Sequence, residues 1–147
     1  MINNITLIDD NKIDLFVNQK IIEKYDCGLK TRMFTSAVSA INYLKILDLN
    51  INSNSLTKPD LIFLDINMPQ MNGFQFFNEL RKFDMNEIKH MHIFMLSSSL
   101  SLEDINKAKN ESLCTGYITK PLTVEKLKDI IETVNVEDKN YNYKKPI

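Results

Sequence analysis

The chain has 147 residues, about the length of one domain, so an enzyme that needs two lobes is not expected. Its 18 basic and 19 acidic side chains leave a net charge of -1, which provides no general field for binding nucleic acid or an anionic membrane. The chain has only three glycines and neither of the usual glycine-rich phosphate loops, which excludes dinucleotide and P-loop sites.

The first half of the chain contains two predicted strand–helix units. An apolar segment, 5–8, ends at an acidic pair and is followed at helical spacing by Ile13, Val17 and Ile21. Residues 29–34 predict a weaker strand, and Ser36 is suited to cap a helix with the apolar stripe Ala37, Ala40, Ile41, Leu44 and Leu47. The polar stretch 48–59 lacks apolar periodicity and predicts an exposed connector.

The second half contains three more such units. Apolar strands are predicted over 60–64, 92–96 and 116–119. The first is followed by Asn72, which precedes a helix carrying Phe76, Phe77, Leu80 and Phe83. The other two are followed by a short helix over 102–109 and by a final amphipathic helix with Leu127, Ile130, Ile131 and Val134. Residues 135–147 predict a polar, disordered tail, so the folded domain is expected to span 1–134.

These elements predict an α/β fold. Strands with continuous rather than alternating apolar residues are typical of a parallel sheet that is covered on both faces. Five strand–helix units are too few for a closed barrel, which needs eight, so a doubly wound open sheet is expected. Ligands of such sheets bind beyond the carboxyl ends of the strands.

The residues that directly follow the strands form a polar set at that edge. They are Asp9 and Asp10, Asp65, Ser97 and Lys120. At about 5 Å and an effective dielectric of 20, each pair of ionised carboxylates repels by about 3 kcal/mol, so the acidic residues need a cation or a proton. Oxygen ligands without histidine or cysteine favour Mg²⁺ over zinc. The Lys120 ammonium and the Ser97 hydroxyl suit phosphoryl oxygens, which together with the carboxylates indicates aspartyl-phosphate chemistry.

Four segments of the sequence resemble the receiver domain of two-component response regulators. They are L-I-D-D-N at 7–11, L-D-I-N-M-P-Q-M-N-G at 64–73, L-S-S-S at 96–99 and G-Y-I-T-K-P-L at 116–122. The resemblance runs from about Ile5 to Val134 and implies a flavodoxin-like sheet with the strand order 2-1-3-4-5.

The resemblance also implies roles for the acidic residues. It assigns Asp65 as the phosphoacceptor and metal ligand, Asp10 as a direct Mg²⁺ ligand and Asp9 as a ligand that acts mainly through metal-bound water. It further assigns the backbone carbonyl of Asn67 as a metal ligand. With Mg²⁺ bound, the Asp65 carboxylate would attack a phosphohistidine in line, helped by positioning and electrostatics.

The same resemblance implies a switch. Lys120 would contact the phosphoryl group, Ser97 would move towards it, and Tyr117 would turn inward in response. This movement would remodel the face formed by the fourth helix, the fifth strand and the fifth helix, where an unknown downstream protein would bind. The phosphodonor would be a histidine kinase or a histidine phosphotransfer protein.

The sequence therefore predicts a signalling module rather than an enzyme for a free substrate, although it would catalyse its own phosphotransfer and autodephosphorylation. Two alternatives are a phosphatase of the haloacid dehalogenase type, which requires D-x-D where this chain has Asp65-Ile66-Asn67, and a flavin- or nucleotide-binding protein without phosphotransfer. About 13 residues after Val134 are too few for an output domain, so a stand-alone receiver is expected.

Two further expectations concern the environment of the protein. No apolar run approaches the ~20 residues of a membrane span and residues 1–9 lack the features of a signal peptide, so we expect a cytoplasmic protein without membrane insertion. Cys27 and Cys114 lie far apart and outside a C-x-x-C pattern, so both are interpreted as reduced thiols in the core.

Overall fold

A five-stranded parallel sheet organises the chain, with the strand order β2-β1-β3-β4-β5. The computed structural model describes residues 1–49, 56–84 and 88–137. The strands are β1 (Asn4–Ile8), β2 (Lys30–Phe34), β3 (Leu61–Leu64), β4 (His92–Ser97) and β5 (Gly116–Thr119). The helices are α1 (Lys12–Tyr25), α2 (Ala37–Leu49), α3 (Gly73–Leu80), α4 (Leu102–Asn110) and α5 (Val124–Glu137). The predicted fold class and strand order are both confirmed.

The strand register brings the carboxyl ends of the central strands to one level. Ile8, the last residue of β1, lies opposite Phe34 of β2 and Leu64 of β3. At the other side of the sheet, Ser97 of β4 lies opposite Thr119 of β5. The strand order reverses between β1 and β3, and the crevice at such a reversal is where doubly wound sheets bind ligands.

The core has two parts, one on each face of the sheet. In β3, Ile62 and Leu64 pack in the cluster that contains residues of α2 and α3, whereas Leu61 and Phe63 pack in the cluster that contains residues of α1 and α5. All four residues of β3 are at most 1% exposed. An unbroken apolar strand is therefore explained by burial on both faces, as the sequence predicted.

Helix α1 forms where predicted, but the apolar residues that indicate it in the sequence are partly exposed. Ile13, Phe16 and Val17 are 73%, 59% and 44% exposed, respectively. The buried residues of α1 are instead Leu15, Asn18 and Ile22. Helix α1 thus presents a second, outward-facing apolar surface, which we call the α1 patch (Ile13, Phe16 and Val17).

Some predicted boundaries differ from the structure. The connector was predicted over 48–59, but helix α2 continues to Leu49 and Pro59 is buried. Residues 50–55 of the connector lie outside the described residues. Helix α5 continues to Glu137, and the rest of the predicted tail, 138–147, lies outside the described residues.

Cys114 is buried as predicted, whereas the core assignment of Cys27 is wrong because this residue is exposed in the turn after α1. Among the described helices, none combines the length and apolarity needed to span a membrane.

Candidate functional site

The parallel ladder extends one residue beyond several strands and so fixes the residues at the edge of the sheet. The Asp65 amide donates a hydrogen bond to the carbonyl of Ile8 (2.9 Å), and the Lys120 amide donates one to the carbonyl of Ser97 (2.9 Å). The Asp9 amide makes the corresponding bond to β2 at 3.1 Å. Backbone bonds of this kind are the least mobile part of a sheet, so these three side chains start from fixed positions.

Three of the predicted site residues form a carboxylate cluster (Asp9, Asp10 and Asp65). Oxygen atoms from the three side chains all lie within 4.8 Å of one another. Asp9 and Asp65 are 4% and 8% exposed, while Asp10 is exposed and keeps the cluster open to solvent. Burial, reinforced by the charge of Asp9 and only partly opposed by Lys120, raises the pKa of Asp65 from 3.8 to about 6.

This carboxylate cluster fits a hard divalent cation. Its donors are oxygen atoms, it faces solvent on the Asp10 side, and burial together with the charge of Asp9 disfavours the ionised form of Asp65, which a cation would stabilise. One or two carboxylates with retained water are the usual protein ligands of Mg²⁺. The predicted fourth ligand, Asn67, lies exposed in the loop two residues after Asp65.

The Lys120 ammonium lies among the carboxylates. It donates hydrogen bonds to Asp9 (2.8 Å) and to Asp14 of α1 (2.9 Å), and its nitrogen is 3.6 Å from an oxygen of Asp65. Burial lowers the pKa of Lys120, but the hydrogen bonds to Asp9 and Asp14 and the charge of Asp65 outweigh burial and hold the pKa above its ordinary value. Lys120 is therefore a permanent cation at this edge of the sheet.

Asp14 was not predicted as a site residue. It lies in the first turn of α1, which begins directly after the acidic pair and is capped by the Asn11 side chain. A signal was available in the sequence, since a helix that begins at residue 12 must have its first turn next to the end of β1. The rule that selects residues directly after the strands does not reach this turn.

The loop between β3 and α3 is held close to the backbone of Asp65. The Gly73 amide donates to the carbonyl of Ile66 (2.8 Å), and a Cβ atom at position 73 would lie only 2.7 Å from the carbonyl oxygen of Asp65. Gln70, in the middle of the loop, has a positive φ of 67°. Glycine at position 73 thus permits a close approach that any side chain would obstruct.

Ser99 links the two residues that were predicted to form the switch. Ser97 is 1% exposed, and its hydroxyl oxygen accepts a hydrogen bond from the Ser99 amide at 3.1 Å. The buried Tyr117 donates its hydroxyl hydrogen to the Ser99 carbonyl at 2.7 Å, so its ring is directed inward. The Ser99 hydroxyl donates in turn to Asp104 of α4 at 2.7 Å.

Lys126 of α5 holds the loop that carries Lys120. Its ammonium donates to the backbone carbonyls of Thr119 (2.7 Å) and Pro121 (3.0 Å), and the Lys120–Pro121 peptide is cis. The two carbonyl groups precede Lys126 by seven and five residues, and only the folded loop shows that they lie next to its ammonium.

The strand order and the acidic edge define an α/β protein of flavodoxin-like topology with a charged pocket at the carboxyl end of its sheet. The sequence model of the response regulator receiver domain matches residues 5–132. The chain therefore belongs to the response regulator receiver domain family of two-component phosphorelay signalling. This membership confirms the resemblance noted in the sequence.

Relatives include both short regulators and long kinases. The polar-differentiation response regulator DivK of Brucella anthropi is 25% identical, with 91% of this chain and 94% of that protein covered. The sensor histidine kinase CheAY of Helicobacter pylori is 30% identical over 85% of this chain, but the chain spans only 14% of the length of that kinase. It spans only 7% of the hybrid signal transduction histidine kinase L of Dictyostelium discoideum.

Solved structures show the same similarity. A two-component response regulator from Cytophaga hutchinsonii superposes with a TM-score of 0.79 at 30% identity, with 91% of this chain and 97% of that chain covered. A response regulator receiver protein from Dyadobacter fermentans superposes with a TM-score of 0.75 at 27% identity, with 90% and 97% covered. The architecture described above is therefore that of known receiver domains.

Proposed function

We propose that this chain is a phosphorylation-switched signalling module in which Asp65 accepts a phosphoryl group in the presence of Mg²⁺. One observation carries this proposal: Asp65 is a nearly buried carboxylate that lies within 4.8 Å of two other acidic groups and 3.6 Å from the Lys120 ammonium. A structural role alone does not require ionisable groups of like charge to be buried together, whereas a cation and a phosphoryl group both use such an arrangement.

The proposed donor is a phosphohistidine of a histidine kinase or a histidine phosphotransfer protein. An Asp65 oxygen attacks the phosphorus, and the phosphorus–nitrogen bond breaks as Asp65 becomes an acyl phosphate. The imidazole, protonated beforehand on its other ring nitrogen, keeps that proton and leaves as a neutral ring. Asp10, Asp65 and the Asn67 carbonyl would hold Mg²⁺ directly and Asp9 would hold it through water, and the bound ion would supply charge neutralisation. Lys120 pairs with a phosphoryl oxygen, which it can do at any physiological pH because it is always charged.

The switch follows from the contacts of Ser97. The new phosphoryl group adds about -1.5 to -2 charge units and offers strong acceptors, so the Ser97 hydroxyl turns towards it and stops accepting from the Ser99 amide. Tyr117 is bonded to the carbonyl of the same Ser99, and movement there reaches the face formed by α4, β5 and α5. We propose that a downstream protein binds this face, and that attack of water on the acyl phosphate resets the switch.

The α1 patch is the proposed contact surface for the phosphodonor. Its three apolar side chains lie on the helix that begins two residues after Asp10, at the same edge of the sheet as Asp65. A donor domain must bring its histidine within bonding distance of Asp65, so its surroundings contact the helix next to the pocket. Exposed apolar residues beside a reactive group are suited to a transient protein contact.

The proposal is tested by incubation with acetyl phosphate and Mg²⁺ followed by intact-mass measurement. The wild-type chain gains one phosphoryl group and Asp65→Asn gains none. Asp129→Asn, the same chemical change at an exposed position on α5, labels like the wild type. Lys120→Ala gains the phosphoryl group only partially. Its conformational response to phosphorylation is weaker than that of the wild type. Full labelling of Asp65→Asn would refute the assignment of the acceptor.

A further inference from the structure

Asp14 contacts the Lys120 ammonium, but the proposed function gives Asp14 no role. An ammonium group has three N–H donors, and Lys120 directs two of them to Asp9 (2.8 Å) and Asp14 (2.9 Å). The remaining distance, 3.6 Å to Asp65, is longer than a hydrogen bond. The preferred position of Lys120 is therefore on the α1 side of the pocket rather than next to the predicted acceptor.

The position of Asp14 allows it to hold Lys120 independently of a bound cation. Its carboxylate is not part of the three-carboxylate cluster, so a cation held there leaves it available to the lysine. Its backbone amide donates to the Asn11 side chain (3.2 Å), which fixes the residue in the first turn of α1. With a side chain that is 37% exposed, Asp14 is not required as a core residue.

We propose that Asp14 is a positioning residue that holds Lys120 in the unphosphorylated state and competes with the phosphoryl group for its ammonium. The inference rests on the proposed phosphorylation of Asp65. To pair with a phosphoryl oxygen on Asp65, Lys120 must weaken its charge-assisted hydrogen bond to Asp14. The Asp14 carboxylate also repels the incoming negative charge. Both effects have the same sign, so Asp14 keeps the population of the phosphorylated form low.

The test measures the affinity for beryllofluoride, a phosphoryl analogue, in the presence of Mg²⁺. Asp14→Asn keeps the shape and a neutral hydrogen bond but removes the charge, and it binds beryllofluoride about fivefold more tightly than the wild type. Mg²⁺ affinity measured without beryllofluoride does not rise, because Asp14 lies outside the carboxylate cluster. Asp14→Glu, which restores a carboxylate, returns the beryllofluoride affinity towards that of the wild type.

Two controls separate this role from a general effect of charge. Glu23→Gln removes one negative charge from the same helix, but Glu23 pairs with Lys20 and not with Lys120. The beryllofluoride affinity of this variant therefore stays within about twofold of the wild type. In a Lys120→Ala background, Asp14→Asn has a smaller effect, because competition for the lysine is absent and only the direct repulsion remains.

Several results would overturn the inference. An unchanged or weaker beryllofluoride affinity in Asp14→Asn would do so, as would an equal gain in Glu23→Gln. An undiminished gain in the Lys120→Ala background would show that Asp14 does not act through the lysine. If the wild type itself binds no beryllofluoride, the proposed function of Asp65 fails, and that result is distinct from a wild type that binds and an Asp14→Asn variant that binds equally well.

Discussion

Replacing Asp65 by asparagine is expected to stabilise the fold in the absence of a divalent cation. Raising the pKa of a carboxyl group from 3.8 to about 6 makes its ionised form about 3 kcal/mol less favourable in the folded protein than in the unfolded chain. An asparagine amide removes this electrostatic cost but remains a nearly buried polar group, which takes back about 1 kcal/mol. The net expectation is an increase of about 2 kcal/mol in the free energy of unfolding at pH 7.

The pH dependence follows from the direction of this pKa change. Because the folded protein keeps the Asp65 proton to higher pH than the unfolded chain does, the destabilisation is absent below about pH 3.8. It grows as the pH rises from 3.8 to about 6 and is complete above that range. The stability difference between Asp65→Asn and wild type should therefore rise across this interval and level off.

Urea unfolding in EDTA, followed by circular dichroism from pH 4 to pH 8, measures this difference. Asp129→Asn is the matched control, since it makes the same change at an exposed position and should shift stability by less than about 0.5 kcal/mol. Added Mg²⁺ should stabilise the wild type more than Asp65→Asn. A variant that is equally stable or less stable than the wild type at pH 7 in EDTA would refute the claim that the buried Asp65 carboxylate destabilises the fold.

Three other substitutions test separate features. Phe16→Ala in the α1 patch should slow phosphotransfer from a phosphorylated histidine phosphotransfer domain by about tenfold but leave labelling by acetyl phosphate unchanged. Ile46→Ala on α2 is the control and should alter neither rate. Gly73→Ala should lower the free energy of unfolding by about 2 kcal/mol and weaken Mg²⁺ binding measured by calorimetry, because the new methyl group meets the Asp65 backbone at 2.7 Å. Gln70→Val should destabilise by about 1–2 kcal/mol in urea unfolding, while Gln70→Gly should stay within about 0.5 kcal/mol of the wild type, because φ is 67° there.

The fold class could be predicted because it depends on patterns that are local in the sequence, whereas the strand order was implied by the resemblance to receiver domains. The run 61–64 is apolar without interruption, and it lies at the centre of the sheet with both faces covered. The burial of α1 could not be predicted in the same way. Ile13 and Val17 recur at helical spacing, but this pattern belongs to an exposed face, and the core face includes the polar Asn18.

The site was predictable where the backbone alone determines position. Residues that follow parallel strands must meet at one edge, and Asp9, Asp65 and Lys120 do so. Contacts made by long side chains were not predictable from this rule. Lys120 reaches Asp14 across 106 positions of the chain, and only the folded structure fixes which carboxylate its flexible stem selects.

The position of the carboxylate cluster also explains how a destabilising group can be tolerated. Asp65 follows β3, the central strand, whose residues are buried on both faces and whose ladder continues through the Asp65 amide. The sheet therefore fixes the backbone at Asp65, where burial disfavours the ionised carboxylate. A ligand that neutralises the cluster removes the electrostatic cost of the ionised Asp65 carboxylate. Cation binding therefore also stabilises the fold.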